Sequence, residues 1–407
     1  MLQLIRGARL IDGTGKGPLE NASILIEGEK ILEVAKGSDL QHSEQARSAE
    51  MVIDATGKTV VPGLINSHEH ITWRRSFGSW ESRVVAKDSD WLVARGAANC
   101  LISLREGVTT VRDLGAKGNA AVALKAAIEE GIILGPRMRV CRNMISMTGG
   151  HAWGVTRVAD GPDEVRKAAR EMLLEGADIV KLMGSGGAVS KVRDFPWSPQ
   201  YTVEEMRAGF EEAHKQGRTT TIHCHPPVGI RMAVEAGVDC IEHAGLLDWE
   251  TAGFLAQRGI PIVPTLVASD SFLSLGAEYG RDPEAIEEVR RRRPEKMKHW
   301  RRILESGVTM VAGVDSLGDL NMELSLFVEI GMTPMQALVS ATKLGAEVLG
   351  MSDQVGTIEP GKYADLLVVA GDPLGDINNL RRPELVLKGG VAHVPDELAR
   401  AIGTRLK

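Results

Sequence analysis

At 407 residues the chain is too long for one small core, which suggests a large domain with a smaller companion. Its 43% apolar and 25% charged residues make an ordinary globular balance. A formal net charge of -6 leaves no basic surplus to neutralise phosphates, which excludes a nucleic-acid binder, and no apolar stretch is long enough to span a bilayer.

The opening segment, residues 1–58, reads as short strands and turns. LIRGARLIDGTG and NASILIEGEKILEV alternate apolar and polar positions, broken by Gly and Asp. Its start, MLQLIRGARLIDG, lacks a charged lead, an apolar core and a cleavage site, so no signal peptide is expected. In the middle, residues 59–354, short apolar runs alternate with helical patterns. The runs are GLINSHEH (63–70), VTTVRDLG (108–115), RMRVCRN (137–143), ADIVKLMG (177–184), RTTTIHCH (218–225), DCIEHAG (239–245), IPIVPTLV (260–267) and VTMVAGVDS (308–316). PDEVRKAAREMLLEGA and TVEEMRAGFEEAHKQG carry apolar residues at helical spacing and end in Gly before the next run. Eight such runs predict a (β/α)8 TIM barrel. A doubly wound open sheet is the alternative, but no GxGxxG follows the first strand. Residues 270–303 are long enough for a helical lid. RRRR, Arg290 to Arg293, follows EAIEE and reads as a solvated helix face. The closing segment, 355–407, is again strand-rich, and the two ends are expected to pair as one small β-sandwich domain. Cys100, Cys141, Cys224 and Cys240 form no CxxC and lie mostly in apolar runs, which fits free thiols in a cytoplasmic protein.

Five of the ten histidines fall at or near strand ends: His68 and His70 on the first run, His223 and His225 on the fifth, His243 on the sixth. His151 follows the third in a TGGH turn. In a parallel barrel the C-terminal strand ends open on one mouth, so scatter along the chain becomes convergence in space. His68 and His70 share a strand face with Cα atoms about 6.6 Å apart, close enough to reach one metal, while Glu69 points away. His42, His214, His299 and His393 sit in helical or loop context and are read as structural.

Lys181 interrupts the apolar strand ADIVKLMG. A buried ammonium is costly and is driven toward its neutral form, and a neutral amine takes up carbon dioxide to give an anionic carbamate that can bridge two metals. The bland reading is a lysine whose head reaches solvent at the mouth. Asp315, in AGVDS, can bind a metal and accept a proton from water, or cap the following helix. Asp113 reads as a structural hydrogen-bond partner, and GSGG, Gly184 to Gly187, as a tight turn and not a phosphate loop. In TWRRSFGSW, Arg74 or Arg75 can bind a carboxylate and Trp73 or Trp80 can line an aromatic pocket, although surface positions are the simpler reading for each.

HxH on the first strand, Lys on the fourth, His on the fifth and sixth, and Asp on the eighth, in that order, resemble the amidohydrolase superfamily over nearly the whole chain. Within it the chain looks most like the Xaa-Pro/Xaa-Arg dipeptidase branch, which includes relatives acting on ochratoxin-type amides, phenylureas and thiocarbamates. The resemblance implies one divalent metal on His68, His70 and Asp315 and a second on His223 and His243, with carboxylated Lys181 between them. Zinc is the default; manganese, cobalt and iron also suit these donors. It further implies that the metals activate a water, that Asp315 carries its proton, and that His151 helps polarise the scissile carbonyl. Dipeptide-cleaving members often have a Tyr two residues after the fifth-strand His, to meet the substrate carboxylate; here that residue is His225. A homo-oligomer acting on a small-molecule amide, urea or carbamate follows from the resemblance. Two other readings remain: an imidazolonepropionase-like cyclic amide hydrolase or mononuclear deaminase, against which Lys181 counts, and a non-catalytic scaffold, against which the complete ligand set counts.

Overall fold

Short strands of alternating pattern at both ends of the chain assemble into one sheet. The computed structural model describes every residue except 38, 39, 41, 42, 75, 77–79, 188–197, 279–281 and 403–407. Leu2–Leu10 lies between Leu19–Glu27 and Thr59–Pro62, and Thr59–Pro62 pairs antiparallel with Leu366–Val369, so N-terminal and C-terminal strands share an eight-stranded sheet. Ile5, Leu10, Ile24, Ile26, Val60, Leu366, Val368 and Leu387 form the apolar core of that sheet.

The strands of the middle are parallel. β1 (Leu64–Glu69), β2 (Val108–Asp113) and β3 (Arg137–Val140) form one sheet. β4 (Ile179–Met183), β5 (Thr219–Cys224), β6 (Cys240–His243) and β7 (Ile262–Val263) form another, extended by the two-residue strands Ile145–Ser146 and Arg157–Val158. β1, β2 and β4 are buried at every position. That is why they read as unbroken apolar runs and not as alternating ones. The intervening helices follow their sequence signals. Thr202 and Glu205 of TVEE close a capping box on the helix Val203–His214. Gly176 and Gly217, past the ends of two helices, take left-handed backbone.

The eighth apolar run is not a regular strand. It is laced by backbone bonds to β7 on one side, where Met310 bridges Ile262, and to β1 on the other, where Asp315 bridges Glu69. Gly313 and the left-handed backbone of Asp315 (φ 63°) interrupt it. A Cβ at Gly313 would lie 2.7 Å from the His68 backbone nitrogen and 2.6 Å from Val263. Gly313→Ala is therefore expected to cost about 1–3 kcal/mol in denaturant unfolding and to lower metal content by displacing His68. Unchanged stability would show that the β1 backbone yields freely there.

Beyond β7 come α1 (Val267–Leu275), α2 (Pro283–Glu305) and α3 (Leu320–Glu329). The buried Glu323 of α3 accepts from the Leu266 and Val267 backbone N–H groups at the start of α1. Arg293 of α2 pairs with Asp270 of α1 and Glu329 of α3. These bonds hold α1 and α2 on the body of the protein. No helix among the described residues is long and apolar enough to cross a membrane.

Candidate metal centre and substrate cavity

His68 and His70 stand at the end of β1, and each ring is held by its Nδ1. His68 Nδ1 is 2.7 Å from Glu242 Oε2, and His70 Nδ1 donates to the Gly115 carbonyl at 2.8 Å. Both Nε2 atoms are thereby left as acceptors on the side of Lys181 and Asp315. Asp315 is locked to β1 by its own backbone: its N–H donates to the His68 carbonyl at 2.9 Å, and its carbonyl accepts from the His70 N–H at 3.2 Å. Its Oδ1 lies 3.5 Å from His70 Nε2. One ligand atom each from His68, His70 and Asp315 falls within 4.8 Å of the others, a separation that fits a single cation.

Lys181, in the middle of β4, is 1% exposed, and its Nζ lies 3.3 Å from His68 Nε2. Burial pushes its amine down from the ordinary lysine range. The His243 ring, at the end of β6, is 4.8 Å from that of His68 and 4.7 Å from that of His223. Its Nδ1 is 2.8 Å from the Thr265 hydroxyl, whereas His223 donates from Nε2 to the Gly186 carbonyl at 3.1 Å. His223 thus presents Nδ1 as its lone pair, the opposite nitrogen from His68 and His70. His151 stacks on His223 at 4.2 Å, and His225 meets His223 edge-on at 4.7 Å. Burial pushes His151 down to about 3 and His225 to about 4, and it holds His68, His223 and His243 well below the usual histidine value. Neutral imidazole is the form that binds metal. Burial, donor types and spacing all fit divalent cations.

The structure thus brings His68, His70, Lys181, His223, His243 and Asp315 together, with His151 and His225 beside them. All but the fully buried His68 line a cavity of about 910 Å³. Asp113 is structural, accepting from the Ile71 and Gly115 N–H groups at 2.8 and 3.1 Å. Other readings need correction. Trp73 and Trp80 are not surface residues: Trp73 stacks on His70 at 4.6 Å, and both line the cavity. Arg74 is 1% exposed and ion-paired with Glu69 and Glu106, and it does not line the cavity. Arg75 and His42 lie outside the described residues. His299, expected to be structural, lines the cavity from α2 together with Lys296 and with Arg292 of the RRRR run. Gly187 serves close approach more than turning, since a Cβ there would sit 2.5 Å from the His151 ring.

Glu242 and Arg112 escape sequence reading. Each is a charge inside an apolar strand, the same signal that marks Lys181, but each neighbours a more conspicuous residue, His243 or Asp113.

Parallel strands ending in histidines, a buried lysine and a carboxylate bring together donors that suit a divalent cation. The amidohydrolase family model matches residues 59–392, and the chain belongs to that family. Ochratoxinase of Aspergillus niger is 29% identical over 421 residues, covering 95% of this chain and 85% of that protein. Its crystal structure matches with a TM-score of 0.83 at 28% identity, over 96% of this chain and 95% of that one. A crystal structure of a Xaa-Pro dipeptidase with bound methionine in the active site matches with a TM-score of 0.85 at 31% identity, over 97% and 100% of the two chains. Imidazolonepropionase of Geobacillus kaustophilus is 26% identical over 421 residues, covering 93% of this chain and 92% of that protein.

Proposed function

We propose that the protein is a binuclear-metal amidohydrolase that cleaves an amide-type C–N bond of a small molecule bearing an apolar or aromatic group and a carboxylate. The observation that carries this reading is the buried Lys181 amine beside His68 Nε2, at the centre of the histidine cluster. His68, His70 and Asp315 would hold one ion and His223 and His243 the other, with zinc the default. Lys181 would join them as a carbamate: its nitrogen bonds to the carbon of carbon dioxide and the amine proton leaves to solvent. Bound divalent ions lower the pKa of water and polarise a carbonyl. Asp315 would accept the proton of the attacking water and return it to the departing amine. His151, packed against His223, would donate to the substrate carbonyl.

The cavity supports the substrate class. Trp73, Trp80, Leu266, Phe272, Trp300 and Leu317 give it apolar walls. Arg292 of α2 places a cation on its border beside Lys296, whose amine burial lowers from the ordinary lysine range and a substrate carboxylate would hold charged; Lys296 already donates to the Leu266 carbonyl at 3.1 Å. An N-acyl amino acid is therefore expected to have a kcat/KM about tenfold above that of its carboxamide, the worth of one charge-assisted hydrogen bond. Lys296→Gln should erase the difference through KM. Equal rates for acid and carboxamide in the parent would remove the carboxylate from the substrate class.

The same reading takes the two parallel sheets as arcs of one (β/α)8 barrel. The bridges at Met310 and Asp315 support one junction, and the Asp178 N–H, just before β4, donating to the Val140 carbonyl of β3 at 2.7 Å supports the other. Residues 1–58 with 355–407 would be the small β domain, which also takes in the strand Thr59–Pro62, the rest of 59–354 the catalytic unit and 270–303 its lid. Four free, buried cysteines support a reducing, cytoplasmic setting. A homo-oligomer is part of the proposal and is checked by light scattering.

The test is metal content by plasma mass spectrometry on fresh protein, with a screen of dipeptides, N-acyl amino acids and aryl ureas. About two metals per chain with turnover of one of these classes is the expected result. A single metal would favour the imidazolonepropionase-like reading, for which the similarity to that enzyme is the support. No metal after reconstitution would favour the scaffold.

A further inference from the structure

The histidines of the cluster are not held alike. His70 and His223 donate to backbone carbonyls, and His243 meets a threonine hydroxyl. His68 instead has a carboxylate behind its Nδ1. Glu242 Oε2 is 2.7 Å from His68 Nδ1, and both side chains are fully buried. The other oxygen of Glu242 accepts from Arg112 Nη2 and from the Thr221 hydroxyl, each at 2.5 Å. Arg112, also fully buried, donates from Nε to the Ser67 carbonyl immediately before His68. The chain thus buries an ion pair directly behind one imidazole. Removing one partner of such a pair strands the other's charge, so the pair is a costly device if its only purpose is packing.

We propose that Glu242, backed by Arg112 and Thr221, is a positioning residue that ranks the two metal sites. It fixes the proton of His68 on Nδ1, turns Nε2 toward the His70–Asp315 side, and makes the His68–His70–Asp315 site the tighter of the two. This inference rests on the binuclear reading for the second site only. A carboxylate behind an imidazole raises the donor strength of its far nitrogen, and loss of such a partner costs metal affinity of about 10–100-fold. His223 and His243 have neutral partners and gain no such advantage.

Glu242→Gln makes the test sharp. Arg112 and Thr221 both donate to one oxygen, so that position must remain an acceptor. The new amide NH2 is then forced to face His68 Nδ1. His68 must answer as an acceptor and move its proton to Nε2, the nitrogen a metal needs. The outcome is a tautomer switch and not a loosened side chain, the logic by which an Asp→Asn change disables a triad histidine.

The experiment titrates zinc into chelator-stripped full-length protein against a chromophoric chelator, with imidazole 15N shifts read on the same sample. In the parent, two unequal binding steps and an Nδ1-protonated His68 are expected. In Glu242→Gln the tighter step should weaken about 10–100-fold while the other stays within about threefold, and the His68 proton should appear on Nε2. If both steps keep their affinities, or weaken together, in a variant with the parent circular dichroism, the ranking role is overturned. Should Glu242→Gln fail to fold, Thr221→Val removes one hydrogen bond and leaves the ion pair. It should weaken the tighter step alone by several-fold, and no change there would equally overturn the proposal. A parent that binds one zinc, weakened by Glu242→Gln, would sink the binuclear reading and leave the role of Glu242 standing.

Discussion

Replacing Lys181 by Ala should lower amide hydrolysis by on the order of 10³-fold and reduce metal content, the loss of several kcal/mol of transition-state charge stabilisation. Lys181 is 1% exposed in a strand buried at every position, with its nitrogen against His68 Nε2. A lysine so placed keeps both its stem and its head out of bulk solvent, with the head turned to the histidine cluster on the cavity wall. As an ammonium it would repel the cations that the histidines hold on the proposed reading. Burial drives it the other way, toward the uncharged amine. The alanine variant leaves a void in a cluster that still contains the histidines and Asp315. A short carboxylic acid such as acetate or propionate has the shape and charge of the proposed carbamate head, and millimolar additions are expected to restore part of both metal content and rate. A variant retaining parental rate and two metals would show that Lys181 is no bridge. A variant that loses rate but is not rescued by any short acid, while unfolding at the parent's temperature, would point to the ammonium itself as the working group.

Legibility in the sequence follows what each signal depends on. The clustered residues were readable because each breaks a local rule: histidines recur at the ends of apolar runs, and lysine and aspartate stand in or beside them. Seven of the apolar runs were readable as strands because strands buried on both faces lose their polar alternation. The eighth was misread as a regular strand because Gly313 serves a tertiary contact with His68 that no local pattern announces. The cavity wall was the least readable part. Trp73, Trp80 and His299 look like surface or helix residues until distant segments fold over them. Arg74 looked free because its partners, Glu69 and Glu106, are 5 and 32 positions away in the chain and give no periodic signal. Pattern reports which residues are anomalous, and folding decides which anomalies meet.

The second large effect is expected from Asp315→Asn, with kcat reduced about 10²–10⁴-fold and folding stability little changed. Asparagine is nearly isosteric and tolerates the left-handed backbone that Asp315 adopts (φ 63°). It also keeps both main-chain bonds, to the His68 carbonyl and from the His70 N–H, so β1 stays tied to this segment. What it loses is a carboxylate oxygen 3.5 Å from His70 Nε2, on the proposed reading a ligand atom and a proton acceptor in one. The two losses separate by measurement. If Asp315 serves chiefly as ligand, the variant should bind less metal and recover rate when zinc is added in excess. If it carries the proton, the fully loaded variant should remain slow, with KM close to the parent's, because substrate binding does not use that proton. The second result is the expected one, since His68 and His70 are both preset by their Nδ1 partners and remain two-thirds of the site. A loaded variant with kcat within threefold of the parent would move the proton carrier elsewhere. Gly313→Ala, two residues earlier, should show the opposite signature: stability and metal content fall together through displacement of His68, and excess zinc returns the surviving folded fraction toward parental turnover.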